Sequence, residues 1–342
     1  MSKLEFGVFL DLATDSVSVA DHIAVYRDLV GAAETAGFSS VWAGESYGRG
    51  GPGFQHVSSP MLVLAALSGS TSMRLGTGVT LLPMWHPLRL AYDSIVLDQL
   101  SGGRFEIGVG LGAPPTWKQF GLDRATLGDR TDEQIEALRA LWAGEDGFHG
   151  TYFDIEGAIG PSPTQPGGPP IWVGGKIGRS VRRAATLGDG YMAGTHFGIG
   201  LVRKQIAGYR AALAEAGKDP TSGRTSVNRI VVLAEDAGTA WDDAAPHIEK
   251  LLRKYAAMKM FPGGATLAEA ERGDRDALRE AATGMCLVGT PAEVTEALRE
   301  YVDIGIDQIQ IRPAPGGMPA AVASRTIELA GKHVLPAFNQ GG

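Results

Sequence analysis

Residues 171–193, IWVGGKIGRSVRRAATLGDGYMA, contain one complete strand–helix–strand unit. Short apolar runs at 171–174 and 190–193 open and close the segment, and residues 180–187 between them predict a helix. The two runs are apolar without alternation, which is typical of strands that are buried on both faces. Because a crossover helix joins strands that run in the same direction, the segment predicts a parallel sheet covered by helices.

The same order of strands and helices continues on both sides of this unit. Further strands are predicted at 4–10, 40–43, 73–82, 104–109, 228–234 and 308–311, and helices at 60–67, 87–100, 131–142, 201–216, 241–258, 291–304 and 320–333. An α/β barrel needs about 250 residues, and no linker divides the 342 residues of this chain. We therefore predict one (β/α)8 TIM barrel over residues 1–342, with insertions at 145–170 and 259–279.

Composition narrows the classes of function. The 31 Lys and Arg residues against 38 Asp and Glu residues give a net charge of −7, which argues against nucleic acid as a partner. No apolar run approaches the roughly 18 residues of a membrane span, so we expect a cytoplasmic protein without a membrane partner. Cys286 is the single cysteine, and the seven histidines form no close ligand pair, so we expect no metal site.

Residues 44–48, GESYG, match the G-x-S-x-G motif of serine hydrolases. That motif needs a helix directly after the serine, and the sequence RGGPG at 49–53 is unsuited to one, so a nucleophilic Ser46 is a distant alternative. Loops that follow barrel strands build the active sites of this fold. We therefore predict that Glu45 and Ser46 face the mouth of the barrel, with His86, which follows the third strand, as a further catalytic candidate.

Two glycine-rich segments are candidates for binding a cofactor. Residues 108–113, GVGLGA, match a dinucleotide fingerprint, but Pro114 and Pro115 are expected to prevent the helix that it requires. Gly110 then lets a flat group approach the backbone, or the segment is a simple tight turn. Gly174, Gly175 and Lys176 end a strand just before a helix, an arrangement that suits a phosphate, although a plain strand–helix turn remains the alternative.

Residues 97–112, LDQLSGGRFEIGVGLG, resemble the signature of the bacterial luciferase-like superfamily of flavin-dependent monooxygenases and coenzyme F420-dependent oxidoreductases. Three further blocks resemble that family in the same order: 76–87, 169–191 and 288–312. The resemblance implies a (β/α)8 barrel with a flavin-type cofactor at its mouth, a small organic substrate that is reduced or monooxygenated, and a homodimer. A flavin-binding barrel without catalytic activity is the alternative.

Departures from the family pattern narrow the choice between FMN and coenzyme F420. The luciferases proper carry an arginine in the strand-four motif that binds the FMN phosphate, where this chain has Leu111 or a neighbouring residue and no arginine before Arg124. Several deazaflavin enzymes carry an Asp-His pair and a glutamate, where this chain has Glu45, Ser46 and Ala113. Their proton-transfer residues are therefore not carried over. The short chain favours coenzyme F420 over FMN.

The resemblance also implies where the cofactor lies. Its ring is expected over Thr77, Gly78 and Val79, with a cis peptide bond between Gly78 and Val79, and its edge near Glu45 and Ser46. Its phosphate is expected on Gly174, Gly175 and Lys176, with Met192 and Ala193 along the tail. Three aromatic side chains are expected either to form the wall of a substrate pocket or to serve ordinary packing: Phe54, Trp85 and Trp117.

Overall fold

A computed structural model describes residues 4–14, 18–47, 55–56, 58–176, 178–257 and 274–339. Eight parallel strands form its barrel: β1 Glu5–Leu10, β2 Ser40–Ala43, β3 Arg74–Thr77, β4 Phe105–Gly110, β5 Ile171–Gly174, β6 Gly190–Ala193, β7 Arg224–Leu233 and β8 Gln308–Arg312. The barrel is closed because β4 pairs with β5 and β1 lies between β8 and β2. The predicted (β/α)8 TIM barrel is confirmed.

Helices surround the barrel on its outer face. They are α1 Val19–Thr35, α2 Pro60–Ser68, α3 Pro87–Leu100, α4 Pro114–Gln119, α5 Leu127–Ala143, α6 Gly178–Thr186, α7 Ile199–Glu215, α8 Ala237–Ala257, α9 Arg275–Ala282, α10 Pro291–Asp303, α11 Ala320–Leu329 and α12 Leu335–Asn339. Their apolar faces bury the outer side chains of the strands, such as Val41, Leu75 and Ile107. The helices thereby cover the sheet, and the ends of the barrel are left to form sites.

The predicted third strand is divided. Residues 73–82 form β3 and a separate two-residue strand, Thr80–Leu81, which pairs with the end of β4. The interruption falls at Gly78 and Val79, and the peptide bond between them is cis, as expected. The backbone therefore bulges at this point instead of continuing the ladder of β3.

The expectation that Pro114 and Pro115 prevent a helix is wrong. Both residues lie in the first turn of α4, a short helix that follows β4. A proline is tolerated there because the amide groups of the first turn have no partner within the helix.

A strand at Cys286–Gly289 was also missed by the sequence patterns, and it extends the sheet beside the distal half of β7.

The two predicted insertions are described to different extents. Residues 145–170 contain an antiparallel hairpin, in which Gly147–His149 pairs with Asp154–Glu156. The segment 259–279 falls mostly outside the described residues, which resume at Asp274 before α9. Whether these segments are insertions into a single domain stays a prediction.

The amino-terminal end of the barrel is filled by an ion network. Arg74 lies 3.6 Å from Glu106, Arg224 lies 3.3 Å from Glu106, and both arginines also contact Glu5. The indole of Trp172 donates to Glu106 over 2.7 Å. These groups fill the amino-terminal end of the barrel interior.

Candidate active site

A cavity of about 490 Å³ lies at the carboxyl ends of the strands. The loops after β1 to β6 contribute to it, and β7 and β8 contribute residues of the strands themselves, Asn228 and Arg312. The residues that line it are Phe9–Leu12, Gly44–Tyr47, Gly78, Val79, Leu81, Gly110–Ala113, Thr116, Trp117, Gly174–Lys176, Ser180, Met192–Phe197, Asn228, Tyr255 and Arg312. Most of the predicted site residues are thus brought together around one space.

Val79 forms part of the floor of this cavity. It packs against a buried cluster inside the barrel that includes Phe9 and Met192. A β-carbon at position 110 would lie 2.7 Å from Val79 Cγ2, and one at position 174 would lie 3.1 Å from Val79 Cγ1. Glycine at both positions therefore leaves room for the Val79 side chain, which presents an apolar surface at the cavity floor.

Glu45 is buried beside the Val79 bulge. Its backbone amide donates to the Val79 carbonyl over 3.0 Å, and its carboxylate accepts from the Leu81 amide over 2.6 Å. The Trp85 indole, at 3.1 Å, and the Tyr47 hydroxyl also donate to this carboxylate. Burial raises the pKa of the Glu45 carboxyl, and the hydrogen bonds from these groups oppose that shift. Glu45 therefore joins the loop after β2 to the bulge after β3.

Of the other residues predicted for the site, some line the cavity and others do not. Ser46 lines the cavity, and its carbonyl accepts from the Ser58 hydroxyl over 2.5 Å. Trp117 lies in the lining too, whereas Trp85 reaches the site through Glu45. Phe54 lies outside the described residues, as does the side chain of His56, which could also have approached the mouth.

The structure does not place Thr77 or His86 among the residues that line the cavity. Thr77 is fully buried, and its hydroxyl bonds to the amide and the carbonyl of Gly108, so it joins β3 to β4. His86 is the N-cap of α3, where its Nδ1 accepts from the Leu88 amide over 3.3 Å. Its ring packs edge-on against Phe153. These contacts tie both side chains to neighbouring groups outside the cavity lining, and the cofactor role expected of Thr77 and the catalytic role expected of His86 stay predictions.

The predicted phosphate segment adjoins the cavity. Gly175 leaves room for Ser180, because a β-carbon at position 175 would lie 2.4 Å from the Ser180 side chain. The Gly175 carbonyl accepts from the Tyr191 hydroxyl over 2.7 Å, and the Lys176 carbonyl accepts from Gln205 over 2.9 Å. The Lys176 side chain is exposed at the rim. The backbone here is thus fixed while the ammonium group stays accessible.

An ion pair that the sequence patterns did not reveal lies on the cavity wall formed by the ends of β1 and β8. Arg312, at the end of β8, donates to Asp11, which follows the adjacent strand β1. Asp11 also accepts from the Gly316 amide over 2.9 Å, and Arg312 reaches the Tyr255 hydroxyl over 3.4 Å. Both charged side chains are more than nine-tenths buried. The pair therefore ties together the first and last strands at the cavity.

The loop after β6 completes this wall. Arg229 is fully buried and donates to the carbonyls of Gly194, at 3.2 Å, and Phe197, at 2.6 Å. This loop carries His196 into the cavity lining. Burial, with the charges of Lys176 and Arg229 as lesser causes, lowers the pKa of His196 to about 4. The imidazole is therefore neutral at pH 7.

Asn228 contributes an unsatisfied polar group to the same wall. Its side-chain oxygen accepts from the Thr195 hydroxyl over 2.7 Å, whereas its Nδ2 has no hydrogen-bond partner. A buried amide without a partner is unusual in a folded protein. This nitrogen is inaccessible to solvent, so the amide is a buried donor beside the cavity.

A comparison with family models matches residues 4–308 to the luciferase-like monooxygenases. The match spans most of the chain and includes the strands that carry the cavity. The chain belongs to the luciferase-like monooxygenase family. The resemblance drawn from residues 97–112 is therefore confirmed.

Individual luciferase-like relatives differ in chemistry. A 4-hydroxyprotoasukamycin monooxygenase from Streptomyces nodosus subsp. asukaensis is 27% identical over 356 residues, covering 99% of this chain and 93% of the relative. An F420-dependent hydroxymycolic acid dehydrogenase from Mycobacterium tuberculosis is 34% identical over 217 residues, covering 61% of this chain and 59% of the relative.

A solved structure shares the whole fold. Monooxygenase RslO1 from Streptomyces bottropensis matches with a TM-score of 0.84 and 29% identity, covering 98% of this chain and 100% of that one. These relatives are enzymes by name, which disfavours a flavin-binding barrel without activity.

No helix within the described part of this chain has both the length and the apolar character to cross a membrane.

Proposed function

We propose that this luciferase-like protein is an oxidoreductase that binds a reduced flavin-type cofactor across Val79 and acts on a small organic substrate. The observation that carries the proposal is the packing of the cavity floor, where Gly110 and Gly174 leave room for the apolar side chain of Val79. The bound cofactor would supply the hydride or the activated oxygen, and the protein supplies binding, orientation and electrostatics.

Gly174, Gly175 and Lys176 are the residues proposed to hold the cofactor phosphate. The segment ends β5 and precedes α6, and amide groups near the start of a helix attract anions. Lys176 adds a positive charge at the rim, and Met192 and Ala193 line the adjoining part of the cavity. The residues present therefore fit a phosphorylated cofactor.

Coenzyme F420 is proposed over FMN. Leu111 occupies the place at which the luciferases proper carry a phosphate-binding arginine. Arg179, on the nearby helix α6, is paired with Asp129 and Asp132, so it does not replace that arginine. The F420-dependent dehydrogenase among the relatives supports the same preference.

The chain's own residues would prepare the site for reaction. Leu81 and Trp117 surround the space above Val79 with apolar surface, which limits the access of water. Glu45 lies at its edge, and burial raises the pKa of its carboxyl, which makes the carboxylate a better proton acceptor than one at the surface. Asn228 lines the opposite wall of the cavity, and its unpartnered amide nitrogen is buried there.

A fluorescence titration with FMN and with coenzyme F420, each oxidised and reduced, tests the proposal. We expect saturable binding, with F420 the tighter ligand. Tighter binding of FMN would overturn the cofactor assignment and leave the cavity assignment intact. Failure of both cofactors to bind would overturn the proposed function.

We also propose that the protein is a homodimer in which α2 and α3 meet the same helices of a second copy. Three large side chains project from these helices with unusual exposure: Leu62 at 72%, Val96 at 50% and Leu100 at 57%. A groove between the helices is lined by Leu62, Val96 and Leu100, and Arg89 and Asp93 in it neutralise each other as an i,i+4 pair, so the surface can meet an identical surface without repulsion between like charges. Light scattering is expected to give a dimer, and Leu62→Glu combined with Val96→Glu a monomer.

A further inference from the structure

Tyr47 stands between the cavity and the Glu45 carboxylate. It lines the cavity, and its ring packs edge-on against Phe120 with the ring centroids 4.8 Å apart. Its hydroxyl donates to Glu45 Oε1. The carboxylate is held on its other sides by the Leu81 amide and the Trp85 indole. Tyr47 and Glu45 thus form a fixed pair at the edge of the site.

The direction of this hydrogen bond decides what Tyr47 offers to a ligand. A phenol has one hydrogen and two lone pairs, whereas an ionised carboxylate can only accept. The hydrogen of Tyr47 is therefore committed to Glu45, and its oxygen is left as an acceptor. The ligand group that complements such an oxygen is a donor, and among small organic compounds an alcohol or phenol hydroxyl fits.

We infer that Tyr47 is a catalytic residue that takes the hydroxyl proton of an alcohol or phenol substrate and passes its own proton to Glu45. The substrate O–H bond breaks as a new O–H bond forms on Tyr47. The former Tyr47 proton moves to a carboxylate oxygen of Glu45, which becomes neutral. The substrate is left as an oxyanion that accepts a hydrogen bond from Tyr47, so no proton is lost to solvent.

Two properties of the pair favour this transfer. Burial raises the pKa of the Glu45 carboxyl, which makes it a better proton acceptor than a carboxylate at the surface. The hydrogen bonds from Leu81 and Trp85 hold the carboxylate in place for Tyr47. The inference deepens the proposed function by naming its substrate class, a hydroxylated compound.

The test uses 2-naphthol, whose hydroxyl becomes strongly acidic on excitation and whose neutral and anionic forms emit at different wavelengths. Its methyl ether, 2-methoxynaphthalene, has nearly the same shape and no proton to donate. Both are titrated into the full chain without cofactor, so the outcome is independent of turnover. Since one hydrogen bond separates the two probes, we expect 2-naphthol to bind about two- to tenfold more tightly.

The emission of bound 2-naphthol then reports the proton transfer. The unmodified chain is expected to give naphtholate emission, and Tyr47→Phe, which keeps the ring against Phe120, only neutral emission. Glu45→Gln is expected to bind 2-naphthol with neutral emission, because the final proton acceptor is absent. Tyr92→Phe is the matched control, since it removes an exposed phenol on α3 that does not line the cavity, and its naphtholate emission is expected to persist.

Three results would overturn the inference: equal binding of the two probes or binding of neither, neutral emission from the unmodified chain, or naphtholate emission that survives Tyr47→Phe. None of them affects the cofactor titration. A chain that binds F420 but leaves 2-naphthol neutral would retain the proposed function and lose this inference. The reverse result would retain the Tyr47–Glu45 pair and reject the cofactor.

Discussion

The side chain of Val79 fills the space that a side chain at Gly110 would need, since a β-carbon at position 110 would lie 2.7 Å from Val79 Cγ2. Val79 lies in the bulge after β3, and Gly110 ends the neighbouring strand β4. The Val79 side chain and the adjacent strand β4 therefore form the cavity floor together, because Gly110 has no side chain that would occupy the same space. Glycine at position 110 allows Val79 to pack in this place, and the Val79 side chain in turn shapes the cavity.

Gly110→Ala is expected to displace Val79 and spoil the cavity floor. Overpacking of this kind destabilises a protein by about 1–3 kcal/mol. We expect a lower midpoint of thermal unfolding together with weaker binding of FMN or F420. Gly208→Ala in α7 is the control, because a β-carbon there would make an ordinary contact at 3.8 Å. Unchanged binding by a folded Gly110→Ala variant would contradict the role of this floor.

Lys176→Ala is expected to weaken a phosphorylated cofactor selectively. A hydrogen bond to a charged group contributes about 1.5–3 kcal/mol, which corresponds to roughly one to two orders of magnitude in affinity. Titration with FMN and with riboflavin, which lacks the phosphate, separates the contributions. Affinity for FMN should fall and affinity for riboflavin should hold. An equal loss for both ligands would assign Lys176 to folding or to another part of the cofactor.

The stability of the protein is expected to fall as the pH is lowered from about 6.5 to about 4, because of His196. The imidazole takes up its proton near pH 6.5 in the unfolded chain and near pH 4 in the folded one. The unfolded state therefore binds more protons between these values, so the free energy of unfolding decreases there, by about 3 kcal/mol in all.

Urea denaturation at several pH values measures this contribution of His196. The pH dependence should be smaller in His196→Gln and unchanged in His333→Gln, which alters an exposed histidine. A pH dependence that is equally steep in both variants would assign the effect to other groups.

Arg312→Met is expected to destabilise the protein by about 3–5 kcal/mol, because it leaves the Asp11 carboxylate buried without its partner charge. Arg253→Met removes the exposed i,i+4 pair with Glu249 and is expected to change stability by less than about 1 kcal/mol. Urea denaturation at pH 7 compares the two variants. A similar small change for both would show that the Asp11–Arg312 pair does not hold the first and last strands together.

The sequence predicted the barrel because its short apolar strands carry a strong local signal. The bounds predicted for β2, β5 and β6 are those observed, and Glu45 and Lys176 were placed correctly at strand ends on the cavity. Thr77 and His86 were expected at the cavity but do not line it, because a position near a strand end does not reveal where a side chain points. In the structure the two residues bond to neighbouring backbone groups.

The remaining features of the site depend on contacts that a local pattern does not contain. Asp11 and Arg312 are 301 positions apart and meet only because β1 and β8 are neighbours in the closed barrel. The sequence did not indicate a role for Tyr47 for a different reason. Residues 44–48 match a hydrolase motif in which Ser46, not Tyr47, is the candidate reactive residue. Its bond to Glu45 becomes visible only in three dimensions.

The central claim is that a flavin-type cofactor lies across Val79 with its phosphate on Gly174, Gly175 and Lys176. A crystal structure of the chain soaked with coenzyme F420, and with FMN in a parallel crystal, tests it most directly. The account predicts ring atoms in van der Waals contact with Val79, at about 3.5–4.0 Å, and a phosphate oxygen within hydrogen-bond distance of Lys176. A cofactor bound with its ring away from Val79, or an empty cavity at saturating concentrations of both cofactors, would contradict the account.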